Sequence, residues 1–108
     1  MRLLYQRDRN TLTIQIEGEL DHHTSNQVKK ELDKVIEDIS IQNLVFDFKD
    51  LYFMDSSGIG VILGRYKIIN KRQGTIYIKN VNPHINKILD VSGLYNIVKM
   101  IYNNDKEL

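Results

Sequence analysis

The sequence predicts an α/β fold built on a mixed sheet, and three observations carry that expectation. Strand-like and helical segments alternate from residue 11 onward, which implies parallel strands joined by right-handed crossovers. The first two apolar segments, "RLLYQ" and "TLTIQIEG", are separated by Asp8, Arg9 and Asn10, a turn composition that predicts an antiparallel hairpin. The 108 residues, of which 42% are apolar, suit one domain over residues 1–108 with one core.

Each element follows from its pattern. In "TLTIQIEG" (11–18), Leu12, Ile14 and Ile16 alternate with Thr11, Thr13, Gln15 and Glu17, so the segment is a half-buried strand closed by Gly18. From Thr24 the period becomes helical, with Val28, Leu32, Val35, Ile36 and Ile39 on one face. Thr24 and Gln27 have the spacing of a capping box. "NLVFDF" (43–48) is apolar on both faces and predicts a central strand. "KDLYFMD" reads as its connection to a second helix, whose stripe is Ile59, Ile62, Leu63, Tyr66 and Ile69. Arg65, Lys67, Lys71 and Arg72 crowd the later turns of that helix, where cations complement the dipole. "TIYIKN" (75–80) is the next strand, and Pro83 opens a third helix carrying Ile85, Ile88 and Leu89 and ending near Ser92 and Gly93. "NIVKMIY" (96–102) fits strand and helix equally, and "NNDKEL" is a polar tail.

Bulk properties exclude several function classes. Net charge is +1, from 15 basic and 14 acidic residues, so there is no broad electrostatic footprint for nucleic acid or an anionic membrane. With no cysteine, disulfides, thiolate catalysis and cysteine-ligated metals are excluded. No secretory leader or bilayer-length apolar run is present, and a cytoplasmic location is expected.

Functional residues of α/β sheets collect past the carboxyl ends of strands, at helix starts. Two loops fit that description, "GELDHHT" and "YFMDSSG". If their strands are parallel neighbours, Asp21 and Ser56 share one rim of the sheet. A nucleophilic serine needs a base and an oxyanion hole. The Gly-x-Ser-x-Gly elbow is absent, and His22, His23 and His84 are the only candidate bases. Gly58, Gly60 and Gly64 match neither the dinucleotide fingerprint nor the P-loop, and Gly60 and Gly64 are explained by close packing of one helix face on the sheet. His22 and His23, adjacent in an extended segment, point apart and converge poorly on a metal.

Ser56 or Ser57 can cap the second helix, worth about 1 kcal/mol. An exposed serine there is also open to a kinase. Its phosphate would add about −1.5 to −2 charges, tolerated by the helix dipole and opposed by Asp55. Such a charge would disturb the fold little and a docked partner greatly. Local chemistry does not choose between Ser56 and Ser57.

"FMDSSGIGVILGRYK", "GELDHHT" and "DVSGL" resemble the sporulation-type anti-sigma factor antagonists of the STAS domain family, over most of the chain. The resemblance implies a STAS-type domain, with a mixed four- or five-stranded sheet and helices packed mainly on one face. It implies a regulatory binding protein with no catalysis of its own and no cofactor. The expected partners are an anti-sigma factor serine kinase carrying ADP or ATP and a PP2C-type phosphatase, with no direct nucleic-acid or membrane partner. Ser56 becomes the phosphoacceptor, and Asp21, Asp55, Ser57, Gly58 and Gly60 shape its loop. The contact surface takes in the loop containing His22 and His23 and the exposed side of the second helix, with Val61, Arg65 and Ile68 as candidates. Burial against neighbouring loops is the competing reading for Val61 and Ile68. A general stress-response antagonist and a nucleotide- or small-ligand-sensing STAS module are the alternatives.

Overall fold

The computed structural model describes residues 1–102, so the polar tail at 103–108 lies outside the described residues. Strands β1 (Arg2–Asp8) and β2 (Thr11–Leu20) form the expected hairpin, with Tyr5 opposite Ile14 and Arg9 in the left-handed region at φ 57°. The sheet continues through β3 (Asn43–Asp47), β5 (Ile76–Lys79) and β6 (Lys99–Ile101), all parallel to β2. The sixth strand, β4 (Leu51–Met54), lies off this path and, among the described residues, pairs only with β2. Among the described residues the sheet therefore has six strands, where four or five were expected. "LYFM", expected as a connection, is a strand. "NIVKMIY" resolves into the end of a short 3-10 turn (Leu94–Asn96) followed by strand β6.

The long strand β2 forks. Its first half, Thr11–Gln15, pairs with β3, and its second half pairs Gly18 with Leu51 and Leu20 with Met54 across a register shift at Gly18/Glu19. Gly18 makes the fork at φ 104°, a backbone that a side chain would strain, and its amide donates to the Asp50 carbonyl at 2.9 Å. Consequently β4, not β3, delivers the serine loop to the carboxyl end of β2.

Among the described residues three helices return the chain between strands: α1 (Ser25–Val35), α2 (Ser56–Lys71) and α3 (Pro83–Val91). Their buried residues, among them Val28, Leu32, Val61, Ile62, Ile69, Ile85 and Leu89, join Leu12, Ile14 and Ile16 of β2 in one continuous core. Full burial of each such side chain stabilises by about 1.5–3 kcal/mol. Thr11, Thr13 and Gln15 face the other way and are half-buried. Pro83 occupies the first turn of α3 as expected, and the Asn82 carboxamide caps it by accepting from the Ile85 amide at 2.9 Å.

Four local expectations are corrected. The Thr24–Gln27 capping box does not form: the Thr24 hydroxyl donates to the Glu19 carbonyl at 3.0 Å, and Gln27 donates to Glu31 at 3.2 Å. Ile39 lies past α1 and is 82% exposed. A Cβ added at Gly60 or Gly64 would meet only open space, so close packing does not explain these glycines. Arg72 does more than complement a dipole, because its guanidinium donates to the Ile36 and Ile41 carbonyls and ties the end of α2 to the α1–β3 connection.

Candidate functional site

The forked β2 brings the two predicted loops together at one rim. Leu20 ends β2, and its carbonyl accepts the Asp55 amide at 3.4 Å. Asp55 then caps α2 from an extended conformation (φ −122°, ψ −168°), its Oδ1 accepting the Ser57 amide at 2.8 Å. Its other oxygen, Oδ2, accepts the His22 amide of the opposite loop at 3.3 Å, with His22 Nδ1 at 3.6 Å. Burial alone would raise this carboxyl, but donation from Ser57 and His22 holds it below the ordinary carboxylate value. Asp55, not either serine, is the helix cap, which corrects the expectation for Ser56 and Ser57.

Asp21 organises the other loop. It is buried, and its Oδ1 accepts the His23 and Thr24 amides at 2.9 and 3.1 Å. It was expected to shape the loop of Ser56, but its carboxylate bonds within its own loop instead, and it is too enclosed to be a broad contact. His22 and His23 are exposed, but the expectation that they point apart from an extended segment is corrected: they lie in a turn that brings their rings together, 3.9 Å apart between centroids and tilted by 39°. Among the described residues, no group of three His, Asp or Glu side chains is arranged to hold a metal.

With the cap supplied by Asp55, Ser56 is the first residue of α2 and exposed, whereas Ser57 is half-buried. Among the described residues, neither serine hydroxyl is hydrogen-bonded to a histidine. Gly58 is buried where the helix start presses on the sheet: a Cβ there would stand 2.6 Å from Met54 Cγ and 3.0 Å from the Leu20 carbonyl oxygen. Gly60 is exposed one helical turn from Ser56.

The remaining helix candidates divide. Val61 is fully buried and joins the core, so the burial reading holds for it. Arg65 is also buried, its Nε 3.2 Å from Asp33 Oδ1 on α1, and it is not a surface contact. Ile68 is half-buried and packs against the core. The buried face of α2 is Gly58, Val61, Ile62, Arg65 and Ile69, so its outer face carries Gly60, Leu63 and Lys67 instead.

Sequence reasoning missed the contribution of α3. Asp55, Ser56 and Ile59 line a groove of about 410 Å³ whose other wall is His84, Lys87, Ile88, Val91 and Ser92. Phe53 of β4 stacks on His84 at its edge, with ring centroids 5.7 Å apart.

Comparison with known proteins agrees with this architecture. The STAS domain family matches residues 2–107. An anti-sigma F factor antagonist from Paenibacillus polymyxa is 43% identical over 105 residues, covering 97% of this chain and 89% of that protein. An anti-sigma-B factor antagonist from Bacillus subtilis (strain 168) is 27% identical over 93 residues, covering 86% of this chain and 84% of that protein. The solved structure of the Bacillus cell fate determinant SpoIIAA in its phosphorylated form superposes with a TM-score of 0.75 at 30% identity, covering 98% of this chain and 95% of that one. With the family matched over nearly the whole chain and the fold superposing on that of a solved relative, this protein belongs to the STAS domain family.

Proposed function

We propose that this protein is an anti-sigma factor antagonist controlled by phosphorylation of Ser56. The unphosphorylated form binds an anti-sigma factor serine kinase carrying ADP or ATP and frees a sporulation sigma factor for transcription. The kinase inactivates the antagonist by phosphorylating Ser56, and a PP2C-type phosphatase restores it. It is a regulatory ligand acting in the cytoplasm as one domain, residues 1–108, and not an enzyme.

The observation that carries the reading is the position of Ser56. It is exposed at the first residue of a helix whose cap Asp55 already supplies, so capping places no demand on its hydroxyl that phosphate would interrupt. A phosphate there meets the positive end of the helix dipole, a favourable term of about 0.3–1 kcal/mol. It also places about −1.5 to −2 charges on the rim that any kinase must cover to reach Ser56. The 43% identity to an anti-sigma F factor antagonist supports the sporulation branch over the stress-response branch, whose named relative is 27% identical.

The test is equilibrium binding of the purified protein to its cognate anti-sigma kinase with ADP. Wild type is expected to bind and to displace the sigma factor, and Ser56→Asp to bind at least about tenfold more weakly with an unchanged melting temperature. Equal affinities for the two would contradict the electrostatic switch. Tight binding to a stress-response kinase and none to a sporulation kinase would move the protein to the other pathway.

A further inference from the structure

We infer that the groove between α2 and α3 is the second half of the kinase docking surface, and that it receives an apolar side chain flanked by a carboxylate. This rests on the reading of Ser56 as the phosphoacceptor. Ser56 itself lines the groove, so an active site that reaches its hydroxyl must lie over the opening. The two walls are apolar where they face each other, through Ile59 on α2 and Ile88 and Val91 on α3. Val91 in the groove is 78% exposed, and Phe53 on β4, which stacks on the groove residue His84, is 40% exposed, so apolar surface is uncovered both in the groove and beside it. Such a surface next to a polar switch is the composition of a docking centre with its rim.

The electrostatics specify the flank. Asp55 at the helix start directs its oxygens to the Ser57 and His22 amides and is committed within the loop. Lys87 is the lysine of the opposite wall, and none of the ion pairs among the described residues involves it. A partner carboxylate placed against Lys87 would complete the contact. The same carboxylate would lie in the groove that phospho-Ser56 borders, so phosphorylation would repel it directly. One arrangement of charges thus accounts for both docking and release. Lys87 and Val91 are specificity residues for the kinase, at a site that the serine loop alone does not define.

The experiment measures affinity of the full chain for the cognate anti-sigma kinase with ADP by calorimetry. The variants are Lys87→Glu, Val91→Asp and, as a control at the opposite end of the sheet, the exposed Ile39→Asp. Each melting temperature is measured, and sedimentation reports self-association. Lys87→Glu and Val91→Asp are each expected to weaken binding about tenfold or more while melting as wild type, and Ile39→Asp to bind normally. If both groove variants bind like wild type while Ser56→Asp does not, the groove inference is overturned and the serine switch stands. If wild type fails to bind the kinase at all, the reading of Ser56 fails with it. If the groove variants alter self-association and leave kinase affinity intact, the occupant is a second copy of this chain and the inference is likewise overturned.

Discussion

Asp55 accepts the His22 amide at 3.3 Å, so one carboxylate joins two loops that are 33 residues apart in sequence. The same side chain caps α2 through the Ser57 amide at 2.8 Å. Loop closure and helix start are therefore one event, and Asp55→Ala should lose both. The expected cost is about 1–2 kcal/mol in urea unfolding, with Asp55→Asn costing less because asparagine also caps. Equal losses for the two variants would show that charge rather than capping is what matters.

Gly58 and Gly64 provide a contrast within α2. A Cβ at Gly58 would collide with Met54 and approach the Leu20 carbonyl, while at Gly64 it would meet nothing. Gly58→Ala should destabilise by about 1–3 kcal/mol. Gly64→Ala should stabilise by about 0.5–1 kcal/mol, because alanine restricts the unfolded chain at no steric cost. Denaturant midpoints measured together check both signs.

Among the described residues, buried Arg65 has no hydrogen-bond partner for Nε or Nη1, and only the ion pair with half-exposed Asp33 at 3.2 Å compensates its charge. Asp33→Ala should then cost about 1 kcal/mol, more than a typical surface pair. Arg65→Met keeps the packed stem and removes the charge, so it should be neutral or stabilising, whereas Arg65→Ala should destabilise through lost packing. Thermal unfolding of the three variants tests the order.

Acid should loosen the end of the sheet away from the serine loop. The Asp38 carboxyl is held down to about 2 by donation from the Ser40 hydroxyl, then from Arg7, whose Nη1 lies 2.8 Å away, and from the Ser40 amide. A carboxyl depressed on folding stabilises fully above its unfolded value of about 3.9 and loses that contribution as pH falls through the folded one. The stability difference between wild type and Asp38→Asn should therefore shrink between about pH 5 and pH 2. A pH-independent difference in urea midpoints would contradict the assignment.

Much of the architecture was legible because it is written as periodicity. The alternation of Leu12, Ile14 and Ile16 defines β2, and the turn residues after Asp8 define the hairpin. Strand β4 was not legible, since only Leu51 and Met54 of its four residues are buried and its partner is half of a forked strand. The phase of α2 was misread because apolar residues nearly surround that helix, leaving periodicity little to grip, and a buried arginine runs against the usual pattern. "DSSG" offers three successive capping side chains, and which one caps is fixed by where β4 ends, a tertiary fact. The contribution of α3 to the site depends wholly on packing, and no local pattern announces it.

The central claim is that Ser56, and not its neighbour, carries the switch. The direct measurement is intact mass after incubation with the cognate anti-sigma kinase and ATP, for wild type, Ser56→Ala and Ser57→Ala. The half-buried placement of Ser57 and the exposure of Ser56 predict one phosphate on wild type and on Ser57→Ala, and none on Ser56→Ala. Phosphate retained by Ser56→Ala, or absent from wild type, would contradict the account.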